Sequence, residues 1–251
     1  MKMGTVVLIG VVVIITVIGV AIWQIFANLD AIVAGVIENV GTEVLQTPVK
    51  VKTVNLDITG GKAGISGMTI KNPPGFSDPY VFSMDDIAVD IDVSSLGKNP
   101  LVIEEILIRQ PKVFAEVNKE GVSNLQTLSK NIEASSSGTE DKQEPAATDE
   151  SGEELKLIIK KFRFEGGNLK ASSQIEPDKK IDQALPVISM NNLGADTGGA
   201  TGQEIASEMM KILVAQATEA AVKAGLDKAI EKEKENLMNK AGDKLKGLFG
   251  N

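Results

Sequence analysis

Three clusters in this chain have residue types and spacings that suggest chemistry. Asp196-Thr197-Gly198 is the tripeptide that carries the reactive carboxylate in aspartic proteases. That chemistry needs two such groups about 3 Å apart. Here Gly194, Gly199 and Gly202 surround a single copy, which reads as a loop leading into a terminal helix. Asp86, Asp90 and Asp92 fall on alternate positions of an apolar strand and suggest a calcium site. Neighbours on one face of a strand stand about 7 Å apart, whereas calcium takes its oxygens at about 2.4 Å. The three carboxylates therefore read as a solvated outer face. Gly60-Gly61-Lys62 lacks the spacing and the following Ser or Thr of a phosphate loop.

Composition narrows the chemistry further. The chain has no cysteine and no histidine, which removes disulfides, thiolate and Ser–His–Asp nucleophiles, and the usual zinc ligands. No catalytic, cofactor-binding or metal-ligating residue is assigned, and the chain is expected not to be an enzyme. The net charge of −8 is local, because residues 133–154 carry −7 of it. The remainder is nearly neutral and offers no basic face for nucleic acid.

What remains is an apolar face. Ile87, Val89, Ile91 and Val93 alternate with Asp86, Ala88, Asp90 and Asp92, giving a strand that is aliphatic on one side and wet on the other. Ile65, Met68 and Ile70 extend the same character upstream. Such faces are ordinarily core. Left partly uncovered beside a bilayer, they form a groove for acyl chains, so all seven residues are candidate lipid contacts.

The elements that must position this face follow from periodicity. Thr5–Ile22 is an uncharged run of 18 residues, about the length that crosses a bilayer, and too long for a secretory signal. Residues 1–27 are thus expected to be a transmembrane anchor. Leu29–Leu45 carries apolar residues at three- and four-residue steps and is expected to form an amphipathic helix stopped by Pro48. From Val49 the period becomes two, with one slip near Thr53 of the kind a bulge makes. Strands are expected through Val49–Ile58, Ile65–Ile70, Asp86–Val93, Leu101–Arg109 and Lys112–Val117, then a short helix ending near Ile132. Residues 134–153 have no large apolar side chain and are expected to be a disordered acidic linker. Residues 154–202 supply further strands of the same sheet. Residues 203–251 form a C-terminal helical segment with a stripe of Leu226, Ile230, Leu237 and Leu245, a candidate surface for a partner protein. The expected fold class is α+β: one transmembrane helix, then a curved antiparallel sheet with the amphipathic helix and the C-terminal helical segment.

A family resemblance adds to this. The apolar run, Ile37-Glu38 with Gly41, and Pro48-Val49 entering a sheet resemble the N-terminal region of the AsmA-like proteins. So do Gly67-Met68-Thr69-Ile70-Lys71-Asn72-Pro73-Pro74-Gly75-Phe76, Ile87–Val93, Val102–Pro111 and Gly121-Val122-Ser123-Asn124-Leu125. The likeness covers residues 1–130, within an AsmA/chorein-like unit at 28–133, with a fainter echo at Leu155–Ser172. It implies a bacterial inner-membrane protein, anchored by a single pass, with a periplasmic body. Its bent sheet would hold phospholipid acyl chains, serving lipid handling or outer-membrane and envelope homeostasis without catalysis and without a cofactor. The alternative is a membrane-anchored scaffold or adaptor that binds a protein through its C-terminal helix.

Overall fold

The computed structural model describes residues 29–137, 154–178 and 180–226. Helix α1 spans Leu29–Leu45 and leads into β1 (Val49–Lys50), β2 (Thr53–Asp57), β3 (Lys62–Ser66), β4 (Met68–Lys71), β5 (Tyr80–Met84) and β6 (Asp86–Ile91). A 3-10 turn at Val93–Ser95 follows, then β7 (Leu101–Arg109), β8 (Lys112–Val117) and helix α2 (Asn124–Ser137). The rest is β9 (Lys156–Glu165), β10 (Asn168–Ser173), β11 (Lys180–Ala184), β12 (Ile188–Leu193), β13 (Ala200–Thr201) and α3 (Gly202–Ala221), which ends in a π-helical turn, Val222–Leu226.

The strands form two mixed sheets, β1-β4-β5-β8-β10-β11 and β12-β9-β7-β6-β3-β2, with β13 added beside β9. The two orders correspond strand for strand. β1 runs on into β2, β3 into β4, β5 into β6, β7 into β8, β9 into β10 and β11 into β12, with at most three residues between. The body is therefore a ribbon of six long strands folded along one crease. The crease falls at Gly67 (φ 65°), Gln110 (φ 50°) and Gly166 (φ 65°) in three of the strands. These left-handed conformations turn the chain without breaking the ladders on either side. A Cβ on Gly67 would stand 2.6 Å from the Cβ of Lys52 on the adjoining crossing, so only glycine fits there.

The three helices pack on one side of this folded ribbon. α1 packs on β1 and β2, α2 on β8, and α3 on β8, β9, β10 and β13, while the helices also contact one another. On the first sheet the row Val49, Ile70, Phe82, Val113 and Leu169 runs across hydrogen-bonded partners and is fully buried. Leu125, Leu128 and Ile132 of α2 and Leu213, Val214 and Ala217 of α3 belong to the same core. The outer face of the second sheet carries Asp86 with Arg109 (3.2 Å), Asp90 with Lys62 (2.7 Å), Glu104 with Lys160 (2.6 Å) and Glu105 with Lys161 (3.2 Å).

Several expectations are overturned. The chain does not form a single antiparallel sheet in an α+β arrangement: it is mostly β, in two mixed sheets with three helices among the described residues. β7 pairs with β9, and β8 with β10, in parallel. The cause is the crossover through α2 and residues 138–155, long enough to return the chain to the start of the sheet. No described helix is long and apolar enough to cross a membrane, so the expected transmembrane helix has no support in the structure; Thr5–Ile22 itself lies outside the described residues. α2 continues to Ser137 rather than stopping near Ile132, so the segment read as a linker from residue 134 begins inside a helix. Its remainder to residue 153 lies outside the described residues. β5 and β11 have no counterpart in the sequence reading. The segment Gln203–Leu226 is helical; residues 227–251 lie outside the described residues.

Candidate functional site

Cross-strand partners on the helix-facing side of the second sheet form four apolar rows. Val54, Ile65, Ile87, Ile108, Phe164 and Ile188 make the first, and Leu56, Ala63, Val89, Ile106, Phe162 and Met190 the second. Ile91, Ile103, Ile159 and Leu193 make the third, and Leu101, Leu157 and Ala200 the fourth. At the β9–β12 end these rows are sealed: Phe162, Phe164 and Ile159 are buried in the common core. Toward β7, β6, β3 and β2 the cover parts.

A cavity of about 1710 Å³ fills the gap. Its floor is the sheet, from Val54 and Leu56 across Ile65, Val89 and Ile91 to Ile103, Ile106 and Leu157. One wall is α1, with Leu29, Val33, Val36, Ile37 and Val40, and the other is Met209, Met210 and Leu213 of α3. Met68 and Met84 close it at the crease. The lining is mostly aliphatic and thioether, with no aromatic ring. Polar side chains enter only at a few places, among them Asn39, Thr42, Glu43 and Gln46 on α1, Asp57 and Lys62 beside the β2–β3 turn, and Gln203 on α3.

Local sequence explains why the walls stand where they do. Glu38 of α1 accepts hydrogen bonds from Lys50 Nζ (2.7 Å) and the Val51 backbone N–H (2.8 Å), and Thr42 Oγ1 accepts from the Val49 N–H (3.0 Å). The Lys50 hydrogen bond, then that of Val51, holds the Glu38 carboxyl below its usual range. α1 is thereby pinned at the crease, and Leu29, Val33, Val36 and Ile37 of its N-terminal half line the cavity. α3 begins in a capping box: Thr201 accepts from the Glu204 N–H (3.2 Å) and Glu204 accepts from the Thr201 N–H (2.8 Å). β13 ties that cap to β9.

The residues singled out in the sequence separate accordingly. Ile65, Met68, Ile87, Val89 and Ile91 line the cavity. Ile70 does not: it is fully buried in the first sheet, beyond the crease. Val93 does not either, because the strand ends at Ile91 and Val93 sits exposed in the 3-10 turn. Leu226, named as a partner contact, is buried in the chain's own core and cannot present itself to another protein; Ile230, Leu237 and Leu245 lie outside the described residues. Asp196 is exposed in a 3-10 turn between β12 and β13, with Gly194 and Gly198 at positive φ on either side. Lys62, after the Gly60-Gly61 turn, is paired with Asp90.

Sequence reasoning missed Glu116, which is almost fully buried in β8. Its carboxylate accepts from the Ser77 N–H (2.8 Å) and hydroxyl (2.6 Å), the Asp78 N–H (3.0 Å) and Gln174 Nε2 (2.6 Å). It thus clamps the loop between β4 and β5 to the end of β10. Burial pushes this carboxyl up, but the hydrogen bonds from Ser77, Gln174 and the Asp78 and Ser77 N–H groups outweigh it and leave the pKa below the usual range. Asp78 is shifted the other way, by burial and then by the neighbouring Glu116 charge. All four donors come from the chain itself, so Glu116 is a structural clamp far from the cavity.

No family model, no curated protein and no solved structure matches the chain.

Proposed function

We propose that the cavity holds the acyl chains of a lipid, and that the protein works without catalysis in lipid handling or envelope homeostasis, as its resemblance to AsmA-like proteins implies. In that reading the body lies on the periplasmic side of the bacterial inner membrane. The observation that carries it is the size of the cavity together with its predominantly aliphatic walls. The space is open to solvent at one side, so in the absence of a ligand water must cover an extended aliphatic surface. Water gains no hydrogen bonds from Ile, Leu, Val and Met side chains, whereas hydrocarbon leaving water gains about 25 cal/mol per Å² buried. The volume also exceeds the roughly 300–1,000 Å³ of small-molecule pockets. Walls without aromatic rings or convergent polar groups suit a flexible chain of methylenes better than a planar or hydrogen-bonding ligand.

The test is mass spectrometry of lipids retained by the detergent-purified full chain. Wild-type protein is expected to carry acyl lipids. Val89→Asp with Ile91→Asp, placing two carboxylates on the cavity floor, is expected to lose them while keeping the wild-type circular dichroism. Retention of the same lipids by a folded double variant would refute the proposal.

A further inference from the structure

The two lateral edges of the first sheet, β1 and β11, are finished differently. At the β1 edge the Lys71 N–H donates to Pro48 O (2.9 Å), so ladder alternation turns the N–H groups of Val49 and Val51 outward. α1 takes both: Thr42 Oγ1 accepts from Val49 and Glu38 from Val51. At the β11 edge the Leu185 N–H donates to Gly167 O (2.8 Å). The same alternation then turns the N–H and C=O groups of Lys180, Asp182 and Ala184 away from β10. Among the described residues nothing in the chain takes them. Pro186, with no N–H to give, ends this open run. An edge left in that state is a template for another strand.

We infer that β11 is a self-association edge, at which two copies of the chain pair antiparallel about a two-fold axis through Ile181. That register sets Lys180 opposite the partner's Asp182 and Asp182 opposite the partner's Lys180, at positions whose backbone groups are free. Both side chains are exposed, and among the described residues neither forms an ion pair within the chain. Asp182 accepts from the Asn168 amide (2.7 Å) and has Lys170 as its neighbour on β10. Residues 176–179 fall opposite residues 183–186, which carry no charge, so the register sets no like charges face to face. Half-buried Ile181, which packs against the core, meets the partner's Ile181. The flanks obey the same axis. Val187 (62%) and Ile175 (51%) are the most exposed large apolar residues among those described. Each stands six residues from Ile181, so the two-fold carries Ile175 toward the partner's Val187. The first sheet then runs on from one copy into the other. None of β10, β11 and β12 lines the cavity, so the contact leaves it free.

A chain without cysteine makes a single introduced thiol a reporter of its own copy. Facing residues of a non-hydrogen-bonded antiparallel pair have Cα atoms about 4.5 Å apart, within reach of a disulfide. Full chain in mild detergent carrying Ile181→Cys is expected to oxidise to a covalent dimer. Asn55→Cys, exposed on β2 at the opposite lateral edge, is expected to stay reduced. Sedimentation of the wild-type chain over a concentration series is expected to show a monomer–dimer equilibrium. Lys180→Asp or Asp182→Lys alone sets two pairs of like charges face to face and is expected to weaken the dimer about tenfold. Combining the two restores opposite charges across the axis and is expected to recover the dimer. Both positions are exposed, so this swap decides the matter even if Ile181→Cys fails to fold. A chain that stays monomeric throughout would overturn the inference. So would cross-linking at Asn55→Cys as ready as at Ile181→Cys, or a double variant no tighter than either single one. A monomer whose β11 is occupied by a different protein would overturn it too.

Discussion

Two single residues bear on how the body holds its shape. Gly61, at φ 64°, closes the β2–β3 turn; a Cβ there would lie 2.5 Å from the Ile91 carbonyl oxygen and 2.7 Å from Val93 Cγ2. Backbone cannot yield as a side-chain tip can, so Gly61→Ala is expected to lower stability by at least about 1 kcal/mol in urea titration. Glu116 governs the acid limb. Because its folded pKa lies below the unfolded value, its stabilisation is complete above about pH 4.3 and is lost as pH falls through the folded pKa. Glu116→Gln leaves backbone N–H groups of Ser77 and Asp78 facing an amide and is expected to cost about 1–3 kcal/mol at neutral pH. The deficit should shrink in acid, where the wild-type carboxyl also takes up a proton. Urea unfolding of both proteins at pH 7 and pH 3 measures it, and a deficit independent of pH would remove Glu116's charge from the account.

At the scale of elements, much was legible where local rules suffice. α1, β7 and β8 have the bounds that periodicity gives, and the Ile87–Val89–Ile91 alternation is a cavity floor backed by ion-paired carboxylates. The crease was half legible. Inward positions along each long strand slip by one residue there, as at Ile65–Met68 across Gly67 and Met84–Ile87 across Asp85, and the slip noticed near Thr53 is one case of a rule that six strands share. Read once it suggests a bulge; read in every strand it marks a fold line. β11 escaped notice because Lys180, Asp182 and Ala184 leave a single large apolar residue, Ile181, in the strand. The parallel pairings were illegible, since register across a crossover leaves no local trace. Glu116 was illegible for a similar reason, because its donors lie about 40 and 60 residues away. The α3 cap carries a prediction of its own. Thr201→Ala removes the acceptor of the Glu204 N–H and should cost about 0.5–2 kcal/mol, seen as a lower thermal midpoint.

For the whole molecule, the account is of a folded ribbon whose two halves differ in cover. Helices α2 and α3 seal the first sheet and one end of the second, while α1, held at the crease by Glu38 and Thr42, leaves the other end open over aliphatic rows. A sheet face of ordinary core cannot accept added bulk, whereas a ligand cavity can. Ala63 faces the space between Leu56 and Val89, so Ala63→Trp decides between them. Native mass spectrometry of the detergent-purified full chain, beside its thermal unfolding, makes the measurement. The account predicts that Ala63→Trp loses the lipid adducts of the wild type while its unfolding midpoint holds or rises. Undiminished adducts, or an unfolding loss of the about 1–3 kcal/mol expected for an overpacked core, would contradict it.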